Sequence, residues 1–339
     1  MTDGFPSLPA EGLPAEGLPA EGLPAEGADG LYSQSWFPLC LSEDVPAGAV
    51  LGVEFLGGKA VVFRGREGGP ARVLSGYCVH VGADLSVGEV VGERLRCRFH
   101  GWQYDGGGAC VATGIGDPVP PRARLFRFPA VERHGVVWAF NGEEPLFGVP
   151  GLPYREDELT VRRSVLPELP VEPWLVQAHT MDLQHLCLPH EFVLDDDPND
   201  SVRVGDHSVG FDLRARMRDG ERFDVRVDIH GTNIFWQTGT LDGRWFFWLA
   251  PLNIPGPGRS RAVFVYGAHR EEDEDPKITE EFLDRARTAM MNLFDDDTPV
   301  LGTIRFRPRH LTHGDRTLAR YLDYVRAYPR ANPARDYLT

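Results

Sequence analysis

The chain contains no run of 18 consecutive apolar residues, which excludes a membrane-spanning helix of ordinary composition. Its start, Met1-Thr-Asp-Gly-Phe-Pro6, has neither the basic beginning nor the apolar core of a secretory leader, so no signal peptide and a cytoplasmic location are expected. Cysteine is sparse. Five residues, at 40, 78, 97, 110 and 187, are too few and odd in number for a disulfide scaffold, and suit a reducing compartment. Positive charge is in deficit, with 35 Lys and Arg against 50 Asp and Glu, and a net charge of −15 argues against nucleic acid or an anionic membrane as partner. No G-x-G-x-x-G fingerprint links a strand to a helix, so the chain cannot itself collect hydride from a dinucleotide.

What is present divides into a tail and two parts. Residues 8–27 repeat Leu-Pro-Ala-Glu-Gly four times, and a Pro and a Gly in every five residues prevent a continued helix or strand. Residues 1–31 are therefore expected to be a disordered acidic tail. Residues 32–147 alternate short β-rich runs (61–63, 72–74, 135–140) with Gly- and Pro-rich turns, which predicts a small all-β domain. Turn formers at 145–153 mark a link to a second domain, residues 148–339. There a helix leads from Glu172 into the stretch around Asp182, and strand signals follow at 202–206, 209–218, 222–230, 233–240, 245–251 and 261–269. A long amphipathic helix closes the series at 279–294, with apolar residues at 282, 283, 286, 290 and 293. The fold class is α+β.

Two constellations carry chemistry. In the first, Cys78-Val-His80 and Cys97-Arg-Phe-His100 each place a thiolate beside an imidazole. Such a Cys2His2 set can hold zinc. However, each His sits beside its own Cys rather than on a shared helix, and Gly82 and Gly101 allow the backbone N–H groups to approach bridging sulfides, which points to a [2Fe–2S] cluster. In the second, Asp182-x-x-His185-x4-His190 would set Asp182 and His185 on one face of a segment helical to Pro189, with His190 about a turn later. Two imidazoles and a carboxylate from elsewhere form the facial set that leaves positions open on non-haem Fe(II). Lone histidines near a helix end are the plainer alternative.

Together, Cys78-x-His80-x16-Cys97-x-x-His100-Gly-Trp102 followed by Asp182-x-x-His185-x4-His190 resembles the Rieske non-haem iron oxygenases, in their catalytic alpha subunit, over roughly residues 32–330. The resemblance implies an N-terminal Rieske [2Fe–2S] domain and a helix-grip, START-like catalytic domain in which an antiparallel sheet wraps a long helix. It assigns Cys78, His80, Cys97 and His100 to the cluster and leaves Cys110 out. It assigns His185 and His190 to a mononuclear Fe, with Asp297 as the third ligand and Asp296 as second choice. Asp182 would carry electrons between subunits of a head-to-tail homotrimer, and O2 would be co-substrate. Electrons would come from NAD(P)H through a separate reductase or an acidic ferredoxin.

The chain departs from that pattern at Ala178-His179, where the family often has Glu-Asn. His179 is accordingly a candidate for a supporting position, an extra ligand or plain packing. Arg94, Arg96 and Arg98 alternate just before Cys97 and His100, and are candidates for docking the electron donor. The aromatic run at Phe235, Trp236, Trp245, Phe246, Phe247 and Trp248 suggests an apolar pocket for a small organic substrate, to be hydroxylated. The same iron chemistry also serves oxidative cyclisation, desaturation, demethylation and N-oxygenation, and an electron-transfer protein without catalysis is the alternative from another class.

Overall fold

The computed structural model describes residues 23–271, 273–306 and 310–339. Alternating Val, Leu and Phe, interrupted every few residues by Gly or Pro, favour short antiparallel ladders in the N-terminal part. One meander joins Val50–Phe55, Gly58–Gly65 and Gly68–Ser75. A second joins Glu89–Val91, Arg94–Arg96, Gln103–Tyr104 and Cys110–Ala112. A third pairs Ala130–Arg133 with Val136–Phe140, and that strand with Trp36–Leu41. Val61, Phe63, Leu74, Leu85, Leu95 and Tyr104 form the core between the first two meanders, and Cys78 and Cys97 are buried in it. All the strands expected at 61–63, 72–74 and 135–140 lie in these ladders, although Gly135 itself is the turn.

The C-terminal part is built on one antiparallel sheet, ordered Leu159–Leu169, Ser260–His269, Arg244–Asn253, Ile234–Leu241, Arg222–His230, Ser208–Arg216 and Val193–Leu194, with Arg203–Val204 also pairing to Ser208–Arg216. Successive side chains on a strand face opposite ways. Phe246, Trp248, Leu252, Ala262 and Phe264 thus join the core beneath the helices. Their neighbours Phe247, Leu249, Val263 and Val265 pack instead on Trp36, Val136, Trp138 and Phe140 of the N-terminal part. Each fully buried side chain of this size contributes about 1.5–3 kcal/mol, so this second face fastens the two parts together.

Among the described residues, four α-helices complete the fold: α1 (Pro173–Met181), α2 (Leu183–Cys187), α3 (Pro276–Leu301) and α4 (Arg316–Ala327). The helix into the Asp182 stretch is not continuous. Asp182 leaves helical geometry at φ −88°, ψ 94°, and its carboxylate caps α2 by accepting from the amides of Gln184 (3.1 Å) and His185 (3.3 Å). An Asp that bonds its own downstream amides starts a new helix rather than extending the old one. The long helix runs seven residues beyond the expected 294, through Pro299, so Asp295, Asp296 and Asp297 lie within it rather than after it. The apolar stripe explains the extension: positions 290, 294, 297 and 301 keep helical spacing, and Leu301 is buried.

The tail needs correction too. Three repeat copies, residues 8–22, lie outside the described residues. The fourth, Leu23–Gly27, expected to be disordered, is packed against the body of the protein. Glu26 is 3% exposed, accepts from Ser33 N (2.9 Å) and Ser33 Oγ (2.6 Å), and its own amide donates to Glu172 (3.1 Å). Neighbouring partners, absent for an isolated repeat, offset its ordering entropy. The C-terminal end likewise returns to the N-terminal part, where Arg330–Ala331 pairs with Tyr32–Ser33 and Leu338 is buried beside Phe55.

Candidate metal centres

The two Cys/His loops have the same construction. In one, Cys78 N donates to Ala83 O and Gly82 N donates to Cys78 O, both at 2.8 Å. In the other, Cys97 N donates to Trp102 O (2.8 Å) and Gly101 N to Cys97 O (3.0 Å). Gly82 (φ +78°) and Gly101 (φ +68°) adopt the left-handed conformation that closes each loop. This closure buries both cysteines, leaves His80 and His100 at the surface, and brings the two imidazole rings to 4.7 Å between centroids. Trp102 stacks on His80 at 4.6 Å with 6° between planes, which covers that ring as its position suggested.

Two thiolates inside and two imidazoles at the rim suit a cluster with one Cys-bound and one His-bound iron. Tyr104, not anticipated from sequence, reaches Cys78 Sγ at 3.0 Å. Burial pushes its phenol well above the ordinary range, so it stays protonated and can donate to the sulfur once Cys78 is a thiolate. Burial also pushes the Cys78 thiol up, and ligation would have to overcome that. Cys110 is buried with Sγ 3.5 Å from Ala112 O.

Before Cys97, Leu95 is buried while Arg94 and Arg98 are exposed, so the arginines share the outer face. The strand ends at Arg96, whose guanidinium is paired with Glu89.

The second group is assembled by three helices. α1 supplies His179 in its last turn, α2 supplies His185, the turn after it His190, and α3 supplies Asp297. His185 Nε2 lies 2.9 Å from Asp297 Oδ1 and 2.7 Å from His190 Nε2, while His190 Nε2 is 3.2 Å from Asp297 Oδ1. His179 Nε2 approaches the other carboxylate oxygen at 3.2 Å. Burial would push the Asp297 carboxyl up, but hydrogen bonds from the three histidines outweigh it and hold the group far below the ordinary carboxylate range. The buried Nδ1 atoms of His179, His185 and His190 have no partner among the described residues.

Asp297 was distinguished from Asp296 only by a family pattern, yet the helix period carries the same signal: 297 continues the buried stripe, and 296 is exposed. Asp296 Oδ2 stands 3.7 Å from His190 Nδ1. Asp182 is half-buried, and burial pushes its carboxyl up against the opposing pull of the His185 amide.

These donors sit at the wall of an apolar pocket lined by Phe211, Phe223, Phe235, Trp248, Phe264 and Phe294 among others, about 860 Å3 with its mouth included. Of the aromatic run singled out in the sequence, Phe235 and Trp248 line the pocket. Trp236, Trp245 and Phe247 pack on the opposite face, and Phe246 lies in the core. Gln237, 2% exposed, is a polar lining residue the sequence did not reveal; its place two residues after Phe235 was the available signal. Among the described residues, the hydrogen-bond contact found for its amide is Met290 Sδ at 4.0 Å.

Comparison with known proteins agrees with this layout. Residues 35–122 match the Rieske [2Fe-2S] domain family. The chain is 34% identical over 130 residues to a cholesterol 7-desaturase of Bombyx mori, covering 37% of this chain and 28% of that protein. It is 37% identical over 113 residues to the oxygenase component of a 3-ketosteroid-9-alpha-monooxygenase of Rhodococcus rhodochrous, covering 33% and 29%. The matched stretches thus span less than a third of these relatives' length. The terminal oxygenase of carbazole 1,9a-dioxygenase from Nocardioides aromaticivorans superposes with a TM-score of 0.68 at 18% identity, over 91% of this chain and 96% of that one. The chain thus carries a Rieske [2Fe–2S] domain at residues 35–122, and its overall fold is that of the terminal oxygenase of carbazole 1,9a-dioxygenase.

Proposed function

We propose that the protein is an oxygenase that hydroxylates an apolar or aromatic organic substrate with O2. The observation that carries this reading is the convergence of His185, His190 and Asp297 at the wall of a mostly apolar pocket. A buried carboxylate held anionic by the imidazoles around it, beside phenyl rings, is costly unless a cation completes the group. In this reading Cys78, His80, Cys97 and His100 hold the [2Fe–2S] cluster, and His185, His190 and Asp297 hold a mononuclear Fe(II). Bound there, such an iron supplies O2 activation with electrons drawn from the cluster.

The chain's own residues do the rest. The pocket's aromatic wall holds the substrate by burying its surface and excludes water from the metal. Asp182 fixes His185 through its amide, and its carboxylate is the candidate electron path to a cluster histidine of a neighbouring subunit. Support for a neighbour comes from the apolar rim around the cluster loops: Val81 is 59%, Phe99 68% and Ile115 86% exposed. These fit a homotrimer arranged head to tail. Arg94 and Arg98 are exposed in a chain of net charge −15, and we assign them, with Arg96 partly neutralised by Glu89, to docking an acidic ferredoxin or reductase fed by NAD(P)H. No helix among the described residues is long and apolar enough to cross a membrane; for location we propose the cytoplasm, in keeping with the sparse, odd-numbered cysteines of the sequence.

The test is single turnover. Chemically reduced protein, mixed with a panel of apolar polycyclic and aromatic compounds under 18O2, should yield one product bearing 18O and reoxidise its cluster. His185→Ala should keep the cluster spectrum and form no product. Product formation by that variant at the wild-type rate would remove the mononuclear site from the chemistry.

A further inference from the structure

We infer that His179 is a fourth protein ligand of the mononuclear metal, so that three imidazoles and one carboxylate hold it. This rests on the metal site proposed above. Around a metal with bonds of about 2.0–2.2 Å, neighbouring donor atoms stand roughly 2.8–3.1 Å apart in an octahedron and about 3.3–3.6 Å apart in a tetrahedron. The contacts here, 2.7, 2.9 and 3.2 Å among His185, His190 and Asp297 and 3.2 Å from His179 Nε2 to Asp297 Oδ2, are close to the edges of such a polyhedron. His179 stands at the carboxylate's other oxygen, a little apart from His185 and His190 but within reach of the same ion. Its donor atom comes within 4.8 Å of that of His185 as well as of Asp297. Its ring stands at 84° to that of His185, as the His190 ring does at 80°. All three rings turn Nε2 into the group and leave a buried Nδ1 without a hydrogen-bond partner among the described residues.

A residue that only steadied Asp297 would approach the carboxylate from outside the donor group. His179 instead lines the same pocket as His185, His190 and Asp297. Local folding explains the placement: α1 ends at Met181 and the chain turns at Asp182, so residues 179 and 185, six apart and on different helices, converge instead of pointing away from each other. Three ligands leave three of six octahedral positions open, and a fourth leaves two. That narrows the room for substrate and co-substrate at the metal.

Cobalt(II) substituted at the mononuclear site of the full chain provides the test, because X-ray absorption at the cobalt edge counts imidazoles without interference from cluster iron. Three imidazoles are expected in the wild type and two in His179→Asn and His179→Gln, with cobalt affinity falling about 10–100-fold. Affinity alone does not discriminate, since loss of a hydrogen-bonding neighbour weakens binding similarly; the count does. Two imidazoles in the cobalt-loaded wild type overturn the inference while leaving the proposed metal site intact, whether or not the variants load. A wild-type chain that takes no cobalt or iron there overturns both.

Discussion

The two candidate metal centres are built by opposite strategies. The Cys/His loops are local: all four proposed cluster ligands fall within residues 78–100, each loop is closed by its own backbone hydrogen bonds and a left-handed glycine, and the histidines emerge at the surface. The mononuclear group is long-range: Asp297 comes from a helix 107 residues beyond His190, and the carboxylate is buried among imidazoles. An electron-accepting site must be reached from outside, and a site that binds an apolar substrate must be closed to water. Loss of a cluster ligand should therefore be a local event, whereas disturbance of the helices should be felt at the mononuclear site first.

The largest effect should come from Cys97→Ser, which removes a buried thiol proposed as a cluster ligand. We expect loss of the brown colour and of acid-labile sulfide, with mononuclear metal retained; intact sulfide would show that Cys97 is not a ligand. Next, Asp297→Ala should reduce iron at the mononuclear site by more than about 100-fold in affinity and leave the cluster spectrum unchanged, whereas Asp296→Ala should cost about 10-fold or less. If Asp296→Ala is the variant that loses the metal, the helix register has been assigned to the wrong residue.

A smaller effect is expected from Tyr104→Phe, which deletes the hydrogen bond to Cys78 Sγ without touching a ligand. A bond of about 0.5–1.5 kcal/mol corresponds to roughly 20–60 mV for one electron, and hydrogen bonds to sulfur favour the reduced cluster. The potential should fall by that amount in voltammetry; an unchanged potential would show that the phenol does not donate to the sulfur.

The smallest effect is one of pH. Arg64 hydrogen-bonds Glu132, and the Ala71 amide adds a 2.7 Å bond, tying Gly68–Ser75 to Ala130–Arg133; the carboxyl is held down from 4.5 to about 2, chiefly by Arg64. A depressed carboxylate stabilises the fold fully above its unfolded value, and that contribution is lost as pH falls from about 4.5 towards 2. Glu132→Gln should flatten the acid limb of the stability profile in that window, measured by denaturant unfolding, and a parallel limb in wild type and variant would remove this pair from the acid response.

The same contrast explains what could be read from the sequence. The pairing of the two Cys/His loops was legible because two Cys/His pairs with trailing glycines fix their own geometry within a few residues. The sheet was legible from alternation, down to its strands at 222–230 and 261–269. The break at Asp182 was less so, since the same Asp reads as a residue on one helix face or as the cap of a second helix, and only the turn towards α3 decides. Glu26 was misjudged with its repeat because what buries it, Ser33 and the amide contact with Glu172, lies outside the repeat itself. His179 was visible as a departure from a pattern, but only the crossing of α1 and α3 brings it to Asp297.

Metal analysis of the purified chain tests the two-centre account most directly. It predicts about three irons and two acid-labile sulfides per chain, falling to two irons with both sulfides retained in the His185→Ala/His190→Ala double variant. A wild-type chain with only two irons, unchanged in that variant, or a colourless chain holding one zinc, would contradict it.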